Sequence, residues 1–99
     1  MKLKSEKEQL MLVHALLMTE YLDRRPPAGL DPYAVQARGP DLVPTAAKAL
    51  ARYLMDRRGE VLALESGKAI LEWVDAHLED ALAIAAAMQS ISDQRADRG

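Results

Sequence analysis

The chain contains no cysteine and no phenylalanine. The first absence excludes disulfides, thiolate metal sites and thiol nucleophiles. The second leaves Trp73 and three tyrosines as the only aromatic rings, so aliphatic side chains must build the core. Proline is confined: its five copies all fall between residues 26 and 44, and the remainder of the 99-residue chain is free of the strongest helix breaker. No apolar run is long enough to span a bilayer. The longest nearly apolar stretch is residues 10–18, against the roughly 20 residues a membrane helix needs. The basic start Met1-Lys2-Leu3-Lys4 is interrupted by Ser5-Glu6-Lys7-Glu8-Gln9, and no small-residue cleavage site follows, so a secretory leader is not expected. Together with the missing cysteine, this gives the expectation of a soluble, cytoplasmic protein.

Catalytic signatures are also missing. No serine sits in a Gly-x-Ser-x-Gly elbow. Glu65-Ser66-Gly67-Lys68 resembles only the end of a phosphate loop and lacks its upstream glycine and strand. His77 and Asp80 stand three apart, as in some metal sites, but the only other histidine is His14 and no third ligand is evident. The sequence predicts a non-enzyme with no cofactor, no metal and no small-molecule substrate. The alternative for both histidines is packing at the edge of a core with a hydrogen-bonded neighbour, His14 having the further option of a pH-responsive group at an interface.

What the chain does have is alanine, leucine and methionine, all good helix formers. The fold class expected is all-α: a small helical bundle of three main helices plus one short helix in the Pro-rich connector. The first helix opens at a capping box, Ser5 to Glu8, and runs to about residue 23, where Arg24-Arg25 complement the helix dipole and Pro26-Pro27 end it. Asp31-Pro32 starts the short helix and Gly39 ends it, with Tyr33, Ala34 and Val35 pinning it to the core. Asp41 caps the next helix, which carries Pro44 in its first turn and closes with Gly59 as its exit. Residues 60–65 read as helix rather than strand, because no second strand exists to pair with one. Ser66 caps the last helix, which is expected to end near Ser90. Residues 1–91 thus form a single domain, and the polar tail 92–99 is expected to fray.

Residues 10–18 hold one polar side chain, His14, with apolar groups pointing in nearly every direction. Such a helix needs cover on most of its circumference, and a short chain has little to give. The function expected is therefore protein–protein interaction: a small helical adaptor, assembly or regulatory subunit that self-associates, most simply as a two-fold dimer burying the first helix. Leu10, Val13, Leu17 and Met18 would be contact residues and Trp73 an anchor. Met11, Met18, Met55 and Met88 suit either an adaptable groove or a core.

Charge offers an alternative. The net charge of -2 conceals a segment of +4 over residues 24–58 and one of -5 over residues 60–80. Glu72, Asp75, Glu79 and Asp80 share one side of the last helix and suit a small acidic inhibitor that occludes a basic, nucleic-acid-binding surface on a target protein. A plainer reading is that the two charged segments attract one another within the fold. Direct nucleic-acid binding through Lys48, Arg52, Arg57 and Arg58 is the least favoured reading, because an acidic helix follows and the whole chain is acidic.

Overall fold

The computed structural model describes residues 5–25, 33, 38 and 41–98, with side chains described as far as residue 95. Four helices have both ends among the described residues: α1 (Glu6–Arg24), α2 (Pro44–Asp56), α3 (Arg58–Leu62) and α4 (Gly67–Arg98). The described residues contain no strand, in keeping with the all-α expectation. The short helix expected at residues 32–38 lies outside the described residues except for Tyr33 and Arg38, both of which are helical. Of these, Tyr33 is 90% exposed and does not pin the connector to the core.

The starts of α1 and α4 follow local chemistry. Ser5 Oγ accepts from the Glu8 amide at 3.2 Å, and Ser66 Oγ accepts from the Ala69 amide at 3.1 Å. Each bond satisfies one of the orphan donors at a helix N-terminus.

Two other helix ends are served from far away in sequence. The N-cap position of α2 is Val43, which has no side chain able to cap, and Asp41 does not do so. Instead the buried Gln89 of α4 accepts from the Ala46 amide at 2.9 Å, while its Nε2 donates to Asp93 at 2.9 Å. Gln9 of α1 does the converse at the C-terminal end of α3, where its Nε2 donates to the carbonyls of Val61 (2.7 Å) and Leu64 (2.9 Å). Two glutamines therefore complete helix ends that their own flanking residues leave open, and tie α4 to α2 and α1 to α3.

Gly59 is not the exit of α2. Arg57 makes the turn, its amide donating to the Leu54 carbonyl at 3.0 Å, and Gly59 lies inside α3. The last helix runs past Ser90 to Arg98, so the expected polar tail continues in helical form, assisted by the Gln89–Asp93 side-chain bond one turn apart. At 32 residues α4 is about 48 Å long and accounts for the 49 Å long axis of the molecule.

One core lies between the helices. Val13, Leu17, Ala46, Leu50, Val61, Ala81 and Ala85 are wholly enclosed, with Tyr21, Tyr53, Leu54, Trp73 and Leu78 around them. The most extensive helix pairing among the described residues is that of α2 with α4. Each fully buried leucine or valine contributes roughly 1.5–3 kcal/mol of transfer free energy.

Candidate functional site

The core assignment corrects the expected contact surface. Val13 and Leu17 are wholly enclosed by their own chain, so they have no surface to offer a partner while the fold stands, and Met18, 4% exposed, shows only a sliver at the floor of the α1–α2 groove. The reason is a single stripe on α1: Val13, Leu17, Met18, Tyr21 and Leu22 recur at three- and four-residue spacing and face the other helices. Trp73 is likewise an internal anchor. Its indole N–H donates to Glu60 at 3.4 Å, and its ring stacks on His77 with centroids 4.0 Å apart. Only Leu10 of the apolar set is half-buried, and beside it Met11 stands 60% exposed.

Leu10 and Met11 open onto this groove of about 790 Å³ between α1 and α2. Leu10, Met11, Ala15 and Met18 form one bank; Ala51, Leu54 and Met55 form the other, where Met55 is 55% exposed. Lys7, His14 and Thr19 supply polar groups along α1, and the Arg58–Glu6 ion pair closes one end. Lys7 at the rim, and Lys48 one turn before Ala51, have no ion-pair partner among the described residues. His14 is tied down: its Nε2–H donates to the Ala47 carbonyl at 2.8 Å, which fixes the tautomer and joins α1 to α2 beneath the groove.

The acidic side of α4 is a second surface. Glu72, Asp75, Glu79 and Asp80 are all exposed, and the attraction expected between the basic and acidic segments is not realised as ion pairs between α2 and α4 among the described residues. Glu72 has Lys68 of its own helix at 4.0 Å. Arg52, Arg57 and Arg58 are engaged elsewhere than on α4. Arg52 meets Asp56 at 3.4 Å, Arg57 lies 3.7 Å over the Tyr53 ring, and Arg58 binds Glu6.

His77 does not join Asp80. Its Nδ1–H donates to the Trp73 carbonyl at 2.8 Å and its Nε2 lies 3.8 Å from Glu60, at the edge of the core beside Tyr53. Burial raises the Tyr53 pKa above the ordinary 10.0; Arg57 acts against this, and Asp80 and Glu60 reinforce it. Among the described residues no cluster of three metal-ligating side chains occurs, and no helix is long and apolar enough to cross a membrane.

The groove was not legible as a groove. Its exposed members, Met11 and Met55, belong to two helices separated by the proline-rich connector, and only the antiparallel meeting of those helices makes them neighbours. The four-methionine pattern was the one available signal. No protein-family model, curated protein or solved structure matches the chain.

Proposed function

We propose that this chain is a non-enzymatic protein–protein interaction module, a small adaptor, assembly or regulatory subunit, whose three main helices form a bundle that presents the α1–α2 groove. The observation that carries this reading is the pair of exposed methionines on opposite banks of one apolar channel. Methionine side chains re-pack around varied apolar ligands at little conformational cost. The occupant is an amphipathic partner helix with acidic flanks: its apolar face fills the channel, and its carboxylates meet the unpaired Lys7 and Lys48.

The test uses methyl-labelled methionine and a Leu/Glu-rich amphipathic peptide as probe. The Met11 and Met55 methyl resonances move on titration, Met88 stays still, and Met11→Asp abolishes the response while helix content is retained. A Met88 shift equal to that of Met11, or binding that survives Met11→Asp, contradicts the reading.

A second reading draws on the exposed acidic side of α4. Glu72, Asp75, Glu79 and Asp80 would occlude a basic surface of a target, as an inhibitor of nucleic-acid binding does. Reversal of all four to lysine eliminates salt-sensitive binding of a lysine-rich peptide under this reading, and unchanged binding removes it.

A further inference from the structure

Along one side of α4 the positions 73, 77, 80, 84, 88 and 91 follow one another at three- and four-residue intervals, so they share a face. At its beginning this face is covered: Trp73 is buried, and His77 lies between Tyr53 and Glu60. Further on it is bare. Ile84 is 48% exposed, Met88 46% and Ile91 47%. The cover stops because α2 crosses α4 obliquely. Its Tyr53 end lies over His77, whereas its Ala46 end has moved round to Gln89 on another side of the helix.

We propose that this bare stripe is a self-association face, on which a second copy packs its own α4 antiparallel about a two-fold axis. The sequence around the stripe reads symmetrically in that arrangement. With the axis between residues 87 and 88, Ile84 faces Ile91 of the second copy, Met88 faces its Ala87, and Asp80 faces its Arg95. The small Ala87 lets the backbones approach near the axis. Asp80 and Arg95 both lack an ion-pair partner among the described residues, and the antiparallel pairing supplies one to each, twice. A parallel pairing would instead set Asp80 against Asp80 and Arg95 against Arg95.

The dimer expected from the sequence is thereby moved from the first helix, whose apolar stripe is internal, to the last. No residue lining the α1–α2 groove belongs to α4, so self-association on α4 holds whether or not that groove takes a partner helix. A single helix pair is a small interface, which points to a reversible dimer with a dissociation constant on the order of 10–100 μM.

Sedimentation equilibrium and methionine-methyl spectra of the full chain across a concentration series test the proposal. The mass climbs from 10.9 kDa toward twice that value. Over the same range the Met88 methyl shifts, while Met11 and Met55 do not. Charge reversal then fixes the register. Asp80→Arg or Arg95→Asp alone weakens association about tenfold, and the double swap restores it. Within one chain these residues are about 22 Å apart along the helix, so rescue reports a contact between copies. A chain that remains monomeric up to about 1 mM overturns the proposal. So does concentration dependence confined to Met11 and Met55, or a double swap that fails to restore association although its helix content matches the parent.

Discussion

The two halves of α4 are built from similar residues and meet opposite fates. In the first half Trp73, Val74, Leu78, Ala81 and Leu82 are buried and the face bearing His77 is covered by Tyr53 and Glu60, with Leu71 its one large apolar side chain left exposed. In the second half Ala85 and Gln89 are buried on one side, while Ile84, Met88 and Ile91 stand half exposed on the other. Hydropathy does not separate the halves. The length and crossing of the neighbouring helices do. An apolar residue becomes core only where another element reaches it, and a 32-residue helix beside partners of 19 and 13 residues has more surface than they can cover.

Truncation should show this contrast most strongly. Trp73→Ala removes a stacked, enclosed ring and costs about 3–5 kcal/mol of unfolding free energy, whereas Met88→Ala costs about 0.5 kcal/mol or less in the dilute monomer. Urea unfolding at low protein concentration measures both. Comparable losses at the two positions would break the comparison.

Next in size is the polar residue that holds the second half against α2. Gln89→Leu leaves the Ala46 amide without its acceptor and costs about 1–3 kcal/mol. Hydrogen exchange should show the first turn of α2 losing protection before the rest of the helix.

The cover over the first half can be made firmer. Gly59 lies inside α3, and a Cβ there would meet nothing within 4 Å. Gly59→Ala should therefore stabilise by about 0.5–1 kcal/mol. The sequence alone predicts the opposite sign, because a left-handed helix exit at Gly59 would make alanine strained.

The smallest effect expected is alkaline. Burial raises the pKa of Tyr21 and Tyr53 above 10.0; for Tyr21, Arg25 opposes the shift and Asp93 adds to it. The folded state thus favours the neutral phenols. Their contribution is complete below the unfolded pKa of about 10 and is lost as pH rises through the higher folded values. The urea midpoint should fall between about pH 9 and pH 11, and fall less in Tyr53→Phe.

Much of the fold was legible because it is local. Ser5 and Ser66 cap the helices they precede, the prolines keep to the connector and one first turn, and of residues 60–65, expected to be helix rather than strand, 60–62 are helical and 63–65 are not. The long-range parts were not legible. Nothing near Val43 announces that Gln89 will complete the start of α2, and nothing near Leu62 announces Gln9. The same limit misplaced the contact surface. The density of apolar residues in 10–18 identified a helix needing cover, but which of them the other helices reach depends on crossing geometry. Val13 and Leu17 fall inside, and Met11 falls outside.

The most direct measurement is the accessibility of each methionine methyl to a soluble paramagnetic probe, at low and at high protein concentration. The account predicts Met18 protected throughout, Met11 and Met55 accessible throughout, and Met88 accessible when dilute but protected when concentrated. A Met18 that is open, or a Met88 already shielded in the dilute monomer, would contradict it.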